Sequence, residues 1–154
     1  MEPWQLLRDA GSARAFFAQV RRAVKDMEEW RYIADEGADA FAVTGTGGAS
    51  SAVSDPTANR AIWLADHDDA IRANAVEHVL RCERLIGAGL VIIAVVRREL
   101  GDKYAAVLDG YYIDCWSWAS VADECGISKS TAFERRDIAL DWLDSAPLLT
   151  FSDR

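Results

Sequence analysis

Histidines and cysteines, the side chains most often used for acid–base, nucleophilic or metal chemistry near neutral pH, are few in this chain of 154 residues. Its two histidines, His67 and His78, stand three turns apart on one predicted helix. They cannot share an ion whose ligands sit about 2 Å away. His78 and Cys82 are one turn apart but lack a third ligand. Asp66, Asp68 and Asp69 form a solvated acidic face able to collect hydrated cations. Cys82, Cys115 and Cys125 resemble small buried hydrophobes, and three cysteines without short-range pairing do not make a disulfide scaffold. No Ser-His-Asp, Cys-His or paired-carboxylate arrangement stands out, and histidine scarcity disfavours general acid–base work. The expectation is no catalysis, no metal and no cofactor.

The polar chemistry that remains is recognition, and it lies between Tyr111 and Arg136. Ser117 is placed to cap a short helix with Trp118, Val121, Ala122 and Cys125 on its inner side. Ala122 is small where a second helix must cross closely. Gly126 supplies the positive φ of a tight turn. Ile127 fills the corner, and Ser128 caps a second helix that buries Ala132, Phe133, Ala139, Leu140 and Leu143. This is a helix-turn-helix layout, whose second helix can enter a DNA major groove. Two packed helices with a glycine turn also occur as plain core.

Other elements must position that pair. Phe16, Val20, Ala23, Met27, Trp30 and Ala34 recur at steps of three and four, predicting an amphipathic helix over about 12–36 with Ser12 as N-cap. Arg14, Arg21, Arg22, Lys25, Glu28 and Glu29 mostly fall elsewhere on the wheel. Thr44 to Ser51 is small and polar, lacks the Gly-Lys-Ser/Thr of a phosphate loop, and reads as a flexible connector over 44–54. Asp55 and Pro56 suit the start of a second long helix running toward Leu100. Its stripe is Ile71, Ala75, His78, Cys82, Leu85 and Gly89. Gly87 and Gly89 each weaken it by roughly 1 kcal/mol relative to Ala. Leu90 to Val96 is β-branched enough for a strand, but no second strand-like run exists to pair with it. A helix buried on several sides is therefore expected there. Gly101 stops it, and Asp102 opens a short helix through Leu108. The fold class is all-α, a long antiparallel helical hairpin followed by a helix-turn-helix module. Residues 1–100 form the hairpin and assembly region, 101–146 the module and 147–154 a tail.

Composition sets further bounds. A hydrophobic fraction of 51% with six Trp supports a packed core. The longest apolar run, Leu90 to Val96, is far short of the roughly 20 residues of a membrane span. The N-terminus lacks the pattern of a signal peptide, so a cytoplasmic location with no membrane partner is expected. The net charge is −8, whereas proteins that grip nucleic acid by its phosphates usually carry a basic face. Self-association through the apolar stripe including Trp30 and Trp63, or tethering to a partner, would offset that deficit.

The run Tyr111-Tyr112-Ile113, then Ser117-Trp118-x-x-Val121-Ala122-x-x-Cys125-Gly126-Ile127-Ser128-x-Ser130-Thr131, then Ala139-Leu140-x-x-Leu143, resembles the fourth conserved region of bacterial primary sigma factors. Among relatives of that region it is most similar to small phage and prophage sigma-like transcriptional regulators of the late-gene activator group. Motif similarity spans about 104–143, and the order of elements fits from about 12 to 144. Cys115 stands where the family loop usually has Gly, and Arg135 where an apolar residue is common. The resemblance implies a sequence-specific DNA-binding transcriptional regulator with helix 128–144 in the major groove and RNA polymerase as a further partner. By position, Lys129, Ser130, Thr131, Glu134 and Arg135 would face DNA, with Ser128 near a phosphate. Lys129 and Arg135 would donate to guanine edges or phosphates, and Glu134 would accept from a cytosine amino group. Arg136 would meet the backbone or an intramolecular acid, Asp137 or Asp141. The rival readings are an acidic protein-interaction adaptor that keeps the helix-turn-helix as scaffold, and a small terminase-type DNA-packaging subunit.

Overall fold

The computed structural model describes residues 2–41 and 56–146, and among them there is no strand. The Gly/Ser-rich connector of 44–54, the Asp55 cap and the 147–154 tail lie outside the described residues. In chain order the helices are α1 (Glu2–Asp9), α2 (Ala13–Glu36), α3 (Pro56–Asp66), α4 (Asp68–Glu99), α5 (Asp102–Leu108), α6 (Trp118–Cys125) and α7 (Lys129–Ser145). A 3-10 stretch, Gly37–Phe41, follows α2, and a π turn, Asp109–Ile113, follows α5.

The described residues group into two compact units. One joins Met1–Lys25 to Cys82–Arg154, and the other is Asp26–Arg81. In the first, Phe16, Phe17 and Val20 of α2 meet Ile92, Ile93 and Val96 of α4, Ala105 and Leu108 of α5, and Ala139, Leu140 and Leu143 of α7. Each large side chain buried this way contributes about 1.5–3 kcal/mol. Gly89 lets α4 approach α2, because a Cβ there would lie 3.0 Å from Val20 Cγ1. Two acceptors hold the start of α2: Ser12 Oγ takes the Ala15 N–H at 3.1 Å, and Asp144 Oδ1 takes the Ala13 N–H at 2.7 Å. Helix α1, which the sequence pattern did not predict, adds Trp4 and Leu7 to this core.

The second unit buries far less: Ile33, Gly37 and Ala75 alone among its described residues. Its polar joint is well defined. Asp68 Oδ1 accepts the Ala38 N–H at 2.7 Å, and Arg72 Nε donates to Asp68 Oδ2 at 2.9 Å. Arg72 Nη1 also reaches the Asp35 carbonyl, so it serves carbonyls left open where α2 ends. Gly37, at φ 58°, packs so closely on Asp68 and Arg72 that no Cβ fits.

Three expectations need correction. The single helix from 56 toward 100 is broken at His67, whose N–H is shared between the Trp63 and Leu64 carbonyls, both at 3.2 Å. Asp68 opens α4 there, its side chain accepting the Ala38 N–H and pairing with Arg72. The Leu90–Val96 run is helical, yet it is not buried all round: Leu90 and Val91 are exposed while Ile92, Ile93 and Val96 carry the packing. The cysteines differ from one another, with Cys82 buried but Cys115 and Cys125 half-buried. Helix α2 runs as the periodicity predicted and α5 as the Gly101 and Asp102 signals predicted, and no described helix is long and apolar enough to cross a membrane.

Candidate nucleic-acid interface

Local chemistry fixes the α6–α7 segment at three points. Ser117 is extended at φ −67° and ψ 159°, and its Oγ accepts the Ser120 N–H at 3.2 Å, opening α6. At the far end Gly126 adopts φ 66° and ψ 36°. Its N–H goes to Asp123 and that of Ile127 to Ala122 at 2.9 Å, a Schellman pattern that satisfies the last carbonyls of α6. Ser128, again extended, opens α7 by accepting the Thr131 N–H at 3.1 Å. Val121, Ala122 and Ala132 are buried on the inner side.

This leaves Lys129 and Ser130 at the start of α7 facing water. Ser128, Lys129, Ser130 and Glu134 are exposed, whereas Thr131, Arg135 and Arg136 are half-buried. Ser130 and Glu134 are one turn apart, so they share a face that continues through Ile138, 41% exposed, and Asp141. Donors and acceptors suited to base edges thus occupy the first two turns. The Ser128 hydroxyl is engaged by the cap and by Thr131 Oγ1 at 3.0 Å.

Arg136 has an internal role. Its Nε donates to Asp137 Oδ1 at 2.9 Å, and its guanidinium lies 5.1 Å from the Trp118 ring centre and 5.0 Å from that of Phe133. Of the two acids expected for it, Asp137 is the partner. Phe133, expected in the core, is instead 36% exposed and meets Trp118 edge-on at 5.1 Å. Its ring is sheltered by Trp118 and Arg136 rather than by the core, and Trp118 itself is only half-buried.

These contacts belong to a ladder that local periodicity does not reveal. Arg21 of α2 lies 4.1 Å over Tyr111, and its Nε donates to the Tyr111 carbonyl at 2.9 Å. Tyr111 stacks on Trp118 at 4.0 Å, and Trp118 carries Phe133 and Arg136. A bifurcated ion pair continues it: Asp137 Oδ1 also accepts from Arg14 Nη2 at 3.0 Å. The two guanidiniums, Arg136 foremost, hold the Asp137 carboxyl below its ordinary range, and Asp137 raises Arg14 in return. Arg14, Ala18, Arg21 and Lys25 recur at steps of four, three and four. That basic stripe was the available signal, and a search for apolar stripes passes over it.

Cys115 occupies the left-handed region at φ 56°. That conformation explains why a glycine suits this loop position. The histidines pair with tryptophans: His78 stacks on Trp30 at 3.9 Å and His67 on Trp63 at 4.2 Å. No group of three or more metal-ligating side chains gathers among the described residues. Compared with family models, curated proteins and solved structures, the chain gives no match.

Proposed function

We propose that this chain is a sequence-specific DNA-binding regulator of transcription, of the sigma-like phage and prophage type, which lays the start of α7 in the major groove. The observation that carries the reading is the outward presentation of Lys129, Ser130 and Glu134 just beyond a turn fixed by Gly126 and two serine caps. Recognition helices contact bases with their N-terminal residues, and Lys129, Ser130 and Glu134 are exposed there. Lys129 and Ser130 donate, Glu134 accepts, and the half-buried Thr131 and Arg135 flank them. RNA polymerase is the second partner, and α2 with α4 forms the antiparallel hairpin used for assembly. No catalytic step, metal or cofactor enters this function.

The test is selection of a preferred sequence from a random duplex pool in low salt, followed by titration of the selected duplex. We expect an enriched sequence, and we expect Lys129→Ala with Arg135→Ala to abolish site-specific binding while the far-UV circular dichroism stays unchanged. Undiminished affinity in that double variant overturns the assignment of the reading helix. The acidic-adaptor alternative draws on Glu134, Asp141 and exposed Ile138 sharing one face, and it predicts no enriched sequence.

A further inference from the structure

Three members of the ladder described above, Arg21, Tyr111 and Arg136, line an open groove of about 440 Å³ in the first unit. Arg14, Arg21, Arg22 and Lys25 line it from α2, Arg136 from α7, and Tyr111 and Tyr112 from the π turn. No carboxylate belongs to that lining, although Asp137 pairs with two of its cations, Arg14 and Arg136. Five of the chain's 17 cations therefore meet in one place, in a protein whose net charge is −8. Such a concentration raises the local density of an anionic partner against the field of the whole molecule.

We propose that this groove clamps the phosphate backbone of duplex DNA beside the segment read by α7. The inference rests on the DNA-binding reading above and supplies the phosphate contacts that the acidic C-terminal module lacks. Four of the five cations are arginines, whose planar forks match phosphate oxygens two at a time. From Arg14 to Lys25 the helix rises about 16 Å, a length over which one DNA strand presents about five phosphates. The stacking of Arg21 on Tyr111 and its bond to the Tyr111 carbonyl hold the middle of the stripe in place. Pre-ordering of that kind lowers the entropy lost on binding. An acidic polypeptide offers carboxylates on flexible side chains, without the fixed spacing of phosphates along a strand, and it makes poorer use of cations held along one helix.

The test measures binding of the full chain to a fluorescent 30-base-pair random duplex and to the selected duplex between 50 and 200 mM salt. Arg22→Gln with Lys25→Gln, both at exposed positions, should weaken both duplexes alike. It should also reduce the slope of log K against log salt by about 1.8, at about 0.9 per phosphate contact. Ser130→Ala with Glu134→Ala should lose sequence preference while keeping the wild-type slope. Lys25→Arg should keep both. Wild-type binding with an unchanged slope in the Arg22/Lys25 variant overturns the clamp and leaves the reading helix standing. Absence of any duplex binding by the wild type overturns clamp and reading together. Tighter binding of poly-glutamate than of duplex at equal charge overturns the choice of nucleic acid as occupant.

Discussion

Two glycines two residues apart show how packing separates positions of equal intrinsic propensity. Gly87 and Gly89 both lie inside α4, where glycine costs about 1 kcal/mol relative to alanine. A Cβ at Gly87 meets nothing within 4 Å, so Gly87→Ala should stabilise the protein by up to about 1 kcal/mol. At Gly89 the Cβ would stand 3.0 and 3.2 Å from the two Val20 methyls. Val20 is fully buried and would have to shift by a few tenths of an ångström, so Gly89→Ala should give no gain or a loss. Urea unfolding of the two variants checks this, and equal gains would mean that the α2–α4 approach is loose.

At the scale of elements, the joint between the 3-10 stretch and α4 is electrostatic as well as steric. The Ala38 N–H first, and Arg72 second, hold the Asp68 carboxyl below the ordinary carboxylate range. A depressed folded-state value means that the ionised form stabilises the fold above the unfolded value near 3.9, and that this stabilisation fades as pH falls through the folded one. Asp68→Asn keeps an acceptor for Ala38 but removes the charge. It should lower Tm at pH 7, with the gap to wild type closing as the pH drops below about 4. A gap that persists unchanged in acid would remove the charge from the explanation. Ser12, Ser117, Gly126 and Ser128 were readable in the sequence because a cap or a left-handed turn is decided within four residues. Asp144 on Ala13, Arg14 on Asp137 and Arg21 on Tyr111 join residues separated by 131, 123 and 90 positions, so no local pattern announces them. The short α1 is hidden for a related reason, since eight residues are too few for a helix without the tertiary packing of Trp4 and Leu7. The exposed end of α7 was therefore readable from sequence, and the basic stripe beside it became meaningful only with the fold.

For the whole molecule, apolar exposure is concentrated in the sparsely cored unit. Ile62, Trp63 and Leu80 are 61%, 56% and 56% exposed, and the His67 ring stacks on Trp63. Large apolar side chains left in water mark association surfaces, and a second copy would double the cations offered to one DNA site. Sedimentation at rising micromolar concentration should show species heavier than the 17.0 kDa chain. Trp63→Ser with Leu80→Ser should return the protein to monomer. A wild-type monomer throughout would remove self-association, and a large closed ring would favour the packaging subunit.

The first unit draws on both flanks of the chain, with Asp26–Arg81 interposed between them. On the ribosome, α2 emerges long before Asp137 and Asp144 exist to meet Arg14 and Ala13. Until α7 has left the exit tunnel the stripe has no opposite wall, and the reading helix has no seat. A nascent chain halted before that point has Tyr111 and Trp118 but neither Phe133 nor Arg136 to complete the ladder. Closure of that groove is thus confined to chains whose synthesis has passed α7.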